Sequence, residues 1–198
     1  RSFGKKVNVH ARSIESIQYS LLAGVDMIYH AEYSDEKTLD MLEEARDRIF
    51  VAPSISLFHT MLHEAEPFGL PRVVAEGMGI PGLIEESVKT HTELRKRGIR
   101  HVIGGDYGFT WNMNGTNARD IKHFVDYYGY SPTAALVCAT RNGGLAMRDQ
   151  GDLGTLQEGM LADMLLVDGD PLKDKNRLAL VMKDGAIHSQ SPSLRHIS

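Results

Sequence analysis

Short apolar runs alternate with segments of helical periodicity in the first half of the chain. Runs at residues 7–10, 25–30 and 49–52 have the length of buried strands. Between the first two runs, apolar residues recur at helical spacing, with Ser13 placed to cap a helix and Gly24 placed to end it. This alternation predicts βα units and a parallel sheet.

The pattern changes in the middle of the chain. Residues 54–82 are rich in glycine and contain Pro67, Pro71 and Pro81, which predicts a long lid or a substrate-contacting loop. A helix is then predicted from about residue 83 to residue 97, and a fourth strand at residues 101–103. The chain thus offers four strands of the βα type.

Helical segments continue to about residue 147, and strands follow. Asn117 is placed to cap one helix, Ser131 and Pro132 to begin a second, and a short helical turn is predicted at residues 144–147. Strands punctuated by Gly and Asp are then predicted at residues 153–156, 164–167, 178–181 and 186–188. We therefore divide the chain into domains 1–150 and 151–198.

Composition excludes several classes of protein. The 22 Lys and Arg residues against 26 Asp and Glu give a net charge of −4 without a basic stripe, which argues against a nucleic-acid surface. The chain has no apolar run of the roughly 18 residues that a membrane-spanning helix needs. The single cysteine, Cys138, allows no intrachain disulfide and is expected to be a small buried hydrophobe. No secretory signal opens the chain, and we expect a cytoplasmic protein.

Three predicted strands end in potential metal ligands, namely His10, His30 and Asp106. The carboxyl ends of parallel strands lie on one face of the fold, where residues distant in sequence converge. Two imidazoles and a carboxylate suit zinc or another borderline divalent ion. Two alternatives stay open: each histidine can be a satisfied buried imidazole, and Asp106 after its two glycines can belong to a simple turn.

Other side chains are candidates for substrate contacts. Arg12 lies two residues after His10, so its side chain should point toward the same mouth, although a surface arginine is an equal alternative. The loop after Asp106 is expected to select the substrate. Its candidate residues are Tyr107, Trp111, Asn112 and Asn114.

Three further histidines are interpreted as non-catalytic. His59 and His63 have the spacing of a metal-binding pair on a helix, but the order of residues in the HExxH motif is absent, and we interpret them as loop residues. His101 begins its predicted strand at the opposite face and is expected to be structural.

Two stretches carry a family resemblance. The first, from Val7 to Ser54, reads VNVHARSIESIQYSLLAGVDMIYHAEYSDEKTLDMLEEARDRIFVAPS. It resembles the fifth to seventh strands of the metal-dependent amidohydrolase superfamily, in its imidazolonepropionase-like and prolidase-like branch. The second, GDLGTLQEGMLADMLLVDGDPLKD, resembles the strands that complete a small β-sandwich beside the barrel of these enzymes.

The resemblance implies a fold and a set of roles. It implies an α/β fold consisting of the C-terminal half (strands 5–8) of a (β/α)8 TIM-type barrel, plus C-terminal strands of a small β-sandwich. It makes His10 and His30 ligands of one divalent metal, which we expect to be zinc, in a centre of one or two ions. It makes Asp106 a ligand of the other ion and the carrier of protons.

The sequence also departs from the family pattern. The family also has a His-x-His pair at the end of strand one, and no such pair occurs in this sequence. A complete barrel takes about 250 residues. We therefore expect a C-terminal half that is inactive alone, with the missing N-terminal half as its partner and with homo-oligomer formation.

The resulting hypothesis is a metal-dependent hydrolase that cleaves an amide, peptide, carbamate or related C–N bond in a small-molecule or short peptide-like substrate. A deaminase or a hydrolase that opens a cyclic amide on the same scaffold is the first alternative. A non-catalytic half-barrel fragment or binding module is the alternative from another class.

Overall fold

A computed structural model describes residues 3–147, 151–170 and 178–192 of the chain. The chain divides into two compact units, Arg1–Ala139 and Thr140–Ser198. No helix within the described ranges is both long and apolar enough to cross a membrane.

A parallel sheet of four strands organises the first unit. Its strands in spatial order are β1 (Asn8–Ala11), β2 (Met27–His30), β3 (Phe50–Ala52) and β4 (Arg100–His101). Neighbouring strands are parallel throughout, so their carboxyl ends lie at one edge of the sheet. The predicted βα units and parallel sheet are confirmed, although the fourth strand is shorter than predicted.

Two helices cover one part of this sheet. Helix α1 (Ile14–Leu22) begins at Ser13, whose hydroxyl accepts from the backbone N–H of Ser16 as predicted. Helix α2 (Glu36–Glu44) is capped by Asp35, whose carboxylate accepts from the backbone N–H of Thr38. The apolar faces of both helices and the strands share one core cluster. Its fully buried members include Ile17, Ile28, Leu42, Ile49, Val51 and Leu94.

The prediction of a long loop at residues 54–82 is wrong. The segment folds into α3 (Ile55–His63), a 3-10 turn (Glu66–Phe68), α4 (Arg72–Gly77) and the start of α5 (Ile80–Lys96). Pro71 immediately precedes α4, and Pro67 and Pro81 are the second residues of the 3-10 turn and of α5, where a missing backbone N–H costs little. They mark the beginnings of helices rather than a loop.

Two more helices complete the first unit. Helix α6 (Arg119–Tyr128) begins after Ala118 and not at Asn117, so that predicted cap is wrong. Helix α7 (Pro132–Val137) begins after Ser131, whose hydroxyl accepts from the N–H of Ala134, as predicted. Cys138 is buried beside these helices, in agreement with its expected role as a small hydrophobe.

The second unit contains an antiparallel sheet. Its three strands are β5 (Met164–Val167), β6 (Leu178–Lys183) and β7 (Ala186–Gln190), in that order. Asp184 and Gly185 join the last two strands with positive φ values of 48° and 78°, the geometry of a tight hairpin turn. Helix α8 (Gly143–Met147) confirms the predicted helical turn. The strand predicted at residues 153–156 is absent, since that segment forms bends.

Candidate active site

Two histidines meet at the carboxyl ends of neighbouring strands. His10 on β1 and His30 on β2 bring their rings to a centroid separation of 4.2 Å. Nδ1 of His10 and Nε2 of His30 are 2.8 Å apart. The other ring nitrogen of His30, Nδ1, is 2.7 Å from the hydroxyl oxygen of Ser54. His30 therefore bridges His10 and a serine that follows the third strand.

The backbone at the end of β2 is held in a disfavoured conformation. His30 and Ala31 have φ values of 83° and 65°, in the left-handed region that residues with a side chain seldom adopt. Each such residue costs about 1–3 kcal/mol, and the surroundings must hold it in place. Here the N–H of Ala31 donates to the carbonyl of Ala11 at 3.0 Å, and the hydroxyl of Thr90 donates to the carbonyl of Glu32 at 2.6 Å.

Asp106 lies beyond β4 and faces the same region. It is exposed and also has a positive φ, 56°. A pocket of about 300 Å³ brings it together with both histidines and with Tyr107. The complete lining consists of His10, Tyr29, His30, Ser54, Ile103, Gly104, Asp106, Tyr107, Asn117 and Asp120. Four of the residues singled out in the sequence thus share one pocket.

Other lining residues were missed by the sequence analysis. Tyr29 precedes His30 inside β2, and Ser54 follows Pro53 at the end of β3, so the strand-end argument could have included both. Asp120 is 1% exposed and comes from the first turn of α6. No local signal in the sequence distinguishes this carboxylate from an ordinary residue at the beginning of a helix.

The surroundings set the electrostatics of the pocket. Burial lowers the pKa of His10, and the neighbouring His30 and Arg12 lower it further. Burial also raises the pKa of the Tyr107 hydroxyl, with Asp120 as the next cause. His10 is thus the neutral imidazole that metal coordination requires, and Tyr107 is a hydrogen-bonding phenol rather than a phenolate.

The two imidazoles fit a pair of metal ligands. Two nitrogens bound to one tetrahedral zinc ion at about 2.0–2.1 Å lie roughly 3.3–3.4 Å apart, so the observed separation of 2.8 Å would have to open by about 0.5 Å to hold the ion. The described part of the chain contains no group of three or more His, Cys, Asp and Glu side chains arranged around a common ion position. A zinc site normally uses three or four protein ligands. The described residues thus supply a pair of ligands beside a carboxylate, not a full set.

Arg12, Trp111 and Asn114 do not line the pocket. The guanidinium of Arg12 donates to Glu32 at 3.1 Å and lies 5.0 Å from the centre of the Phe58 ring. Trp111 packs on the apolar cluster of α3, α4 and α5, while Asn114 is exposed. The substrate contacts expected for these three side chains therefore have no counterpart in the pocket geometry.

Asn112 has a different position from the one expected. Its side chain is fully buried, and its amide nitrogen donates to the carbonyls of Gly105 and Asp106 at 2.8 and 3.0 Å. Its amide oxygen accepts from the hydroxyl of Ser56 at 3.2 Å. Asn112 therefore ties the backbone at Asp106 to helix α3.

The backbone before Asp106 is also enclosed. A β-carbon added to Gly105 would lie 2.6 Å from Cβ of Ser56, 2.7 Å from a carboxylate oxygen of Asp120 and 2.8 Å from the Tyr107 ring. Real β-carbon contacts are not that short, so no larger residue fits here without displacing its neighbours. The loop that carries Asp106 is thus fixed between α3 and α6.

We expect Asn112→Ala to lower the free energy of unfolding by about 1–3 kcal/mol, because two backbone carbonyls lose their donor. Urea denaturation of the chain measures this change. The matched control is Asn114→Ala, at an exposed position of the same loop, with an expected change within about 0.5 kcal/mol. Equal effects of the two substitutions would contradict the anchoring role.

The other histidines singled out in the sequence, His59, His63 and His101, lie outside the pocket. His59 and His63 are on α3, so their interpretation as loop residues is wrong; His59 contacts the Tyr127 hydroxyl at 2.6 Å and Glu64 at 3.3 Å. His101 is fully buried and lies 3.1 Å from His91 and 2.7 Å from the Tyr130 hydroxyl. Burial lowers the pKa of His101 to about 3, which agrees with a structural role.

Solved structures with the same fold come from several hydrolases. A prolidase in complex with N-methylphosphonate-L-proline aligns with a TM-score of 0.81 and 20% identity, covering 96% of this chain and 46% of the prolidase. A Xaa-Pro dipeptidase with methionine in its active site gives 0.78 and 24%, covering 95% and 46%. The A. niger ochratoxinase gives 0.80 and 22%, covering 96% and 43%.

These likenesses assign the α/β fold to the TIM-barrel type. The chain spans about half the length of the solved structures that it matches. No curated protein sequence matches the chain. The amidohydrolase family model matches residues 1–189. This match covers nearly the whole chain and confirms the resemblance found in the sequence. The chain belongs to the amidohydrolase family.

Proposed function

We propose that the chain forms part of a metal-dependent hydrolase that cleaves an amide, peptide, carbamate or related C–N bond. The observation that carries this proposal is the pair of facing imidazole nitrogens, 2.8 Å apart, beside a pocket that also holds Asp106. Membership of the amidohydrolase family supports it. The prolidase and dipeptidase of the same fold support it as well.

His10 and His30 hold a divalent ion in this proposal, with zinc as the first choice because of the two imidazoles. When bound, such an ion lowers the pKa of a coordinated water toward about 7 and polarises the carbonyl of the substrate. Ser54 fixes the ring of His30 from the opposite side through its hydroxyl. Such outer hydrogen bonds orient ligating histidines in proteins.

Asp106 moves the proton. Its carboxylate accepts a proton from the attacking water as the new C–O bond forms, and it returns that proton to the leaving nitrogen as the C–N bond breaks. The products are a carboxylic acid and an amine, so atoms and protons balance. The exposed position of Asp106 at the mouth of the pocket gives its carboxylate access to both groups.

The substrate is a small molecule or a short peptide. A pocket of about 300 Å³ is at the lower end of the range for small-molecule sites. Tyr29, Tyr107 and Asn117 line it and supply hydroxyl and amide groups for orientation. The bound proline analogue and methionine in the two solved peptidase structures support a substrate of this size.

We also infer that the chain supplies strands five to eight of a (β/α)8 barrel, and that a further protein segment completes the barrel and the metal ligands. The four parallel strands lie in sequence order, with β1 and β4 at the two edges of the sheet. Coverage of about half of each matched structure supports the same arrangement.

Product analysis tests the proposed reaction. The complete enzyme, incubated with a panel of dipeptides, N-acyl amino acids and cyclic amidines, is expected to release an amine and a carboxylic acid in equal amounts. Chromatography of both products, together with an ammonia assay, measures this. Ammonia as the only nitrogen product would reject the proposed cleavage in favour of deamination.

A further inference from the structure

Glu32 is a buried acid without a role in the reaction described above. Its side chain is fully buried, and one carboxylate oxygen, Oε2, accepts from Nε of Arg12 at 3.1 Å. The other oxygen, Oε1, is buried and has no hydrogen-bond donor within the described residues. It lies 3.7 Å from Nδ1 of His30. A buried carboxylate without a hydrogen-bond donor costs free energy. The position of Oε1 beside the His30 ring therefore calls for an explanation.

The ring of His30 can exist in two neutral forms. Nδ1 faces the hydroxyl of Ser54, and Nε2 faces His10. A neutral imidazole carries its proton on only one of these nitrogens, and only the other nitrogen can bind a metal. The hydroxyl of Ser54 can either donate or accept, so it does not choose between the two forms.

We propose that Glu32 is a positioning residue that keeps the proton of His30 on Nδ1, so that the lone pair of Nε2 points at His10 and the pocket. An ionised carboxylate only accepts hydrogen bonds, and its negative charge favours an N–H directed toward it over a lone pair. The N–H of Nδ1 then donates to the hydroxyl oxygen of Ser54. Oε1 of Glu32 lies 3.7 Å from the same nitrogen, and its charge stabilises the proton there.

The strained backbone after β2 makes this contact possible. A continuing strand would carry Glu32 away from the end of β2, whereas two successive left-handed residues, His30 and Ala31, turn the chain back beside the ring. Thr90 holds the carbonyl of Glu32, and Arg12 holds the far carboxylate oxygen. These two contacts fix the near oxygen relative to Nδ1.

Ring nitrogen NMR of the chain without metal tests the proposal directly. At a pH where His30 is neutral, we expect the wild type to carry the proton on Nδ1; a proton on Nε2 would overturn the proposal without any variant. In Glu32→Gln the amide can donate to Nδ1, so we expect a shift toward the form protonated on Nε2. Glu32→Asp should retain part of the original preference.

The matched control is Glu64→Gln. Glu64 also pairs with an arginine, Arg119, and also lies beside a histidine, with 3.3 Å to Nε2 of His59. Its replacement removes a similar ion pair away from the pocket, and the signals of His30 should stay unchanged. An unchanged form of His30 in a folded Glu32→Gln chain would mean that Glu32 is only the counterion of Arg12, which overturns the proposal.

Zinc titration gives the second readout. This readout rests on the proposed function, in which Nε2 of His30 is a metal ligand. We expect Glu32→Gln to weaken zinc binding about 10–100-fold. Both titrations use the complete enzyme, since the described part of this chain holds only two of the ligands. If the proton moves as expected but the complete wild-type enzyme binds no zinc, the metal role fails and the positioning role stands. If zinc binds equally to both proteins and the proton does not move, the positioning role fails alone.

Discussion

Replacement of Asp106 by Asn is expected to lower the hydrolysis rate of the complete enzyme by about 10²–10⁴-fold, the usual contribution of a positioned acid or base. The amide has nearly the same shape as the carboxylate but cannot accept the proton of the attacking water. Asn also tolerates positive φ, so the value of 56° at this position is retained without new strain. Initial rates at saturating substrate, together with circular dichroism, separate lost chemistry from lost folding.

Asp126→Asn is the matched control for this substitution. Asp126 lies on α6 and pairs with Lys122 at the surface, away from the residues that line the pocket. We expect its replacement to leave the rate unchanged, since exposed ion pairs contribute little to stability. Near-normal turnover by Asp106→Asn would reject the role of Asp106 as proton carrier.

His30→Ala or His10→Ala is expected to remove the divalent metal from the complete enzyme. Each substitution deletes one of two facing ligand nitrogens, so we expect a loss of metal affinity larger than the roughly 10–100-fold that follows loss of an outer hydrogen-bond partner. Elemental analysis after dialysis against a chelator and readdition of zinc measures the bound metal, and activity should follow the metal content.

His63→Ala controls for a general effect of losing a histidine. His63 is exposed on α3 and does not line the pocket, so its replacement should leave metal content unchanged. An enzyme that stays fully active after complete metal removal would exclude the proposed mechanism. Metal retained equally by His10→Ala, His30→Ala and the control would reject the two ligands.

Periodicity and strand ends were sufficient to predict the framework of the pocket. The apolar runs before His10 and His30 predicted parallel strands, and the shared edge of such strands predicted that the two rings would meet. The glycines before Asp106 predicted a loop that returns a carboxylate to that edge. These predictions needed only local patterns and one general rule about parallel sheets.

The sequence did not reveal what depends on contacts between distant segments. Asn112 resembled a substrate-binding residue of a polar loop, but its partners Gly105 and Ser56 come from two other parts of the fold. Nothing local in the sequence indicates the turn that buries Glu32. The prolines of residues 54–82 suggested a loop, since Pro occurs both in loops and at helix starts.

The enclosure of Gly105 bears on how this pocket can change over evolutionary time. With Ser56, Asp120 and Tyr107 all within 2.8 Å of an added β-carbon, any other residue would push the backbone of Asp106 out of place. The exposed stretch that follows, including Phe109, Met113 and Asn114, carries no such restriction. Substitutions can therefore accumulate in the exposed loop after Asp106, while the placement of Asp106 itself depends on a single position that tolerates only glycine.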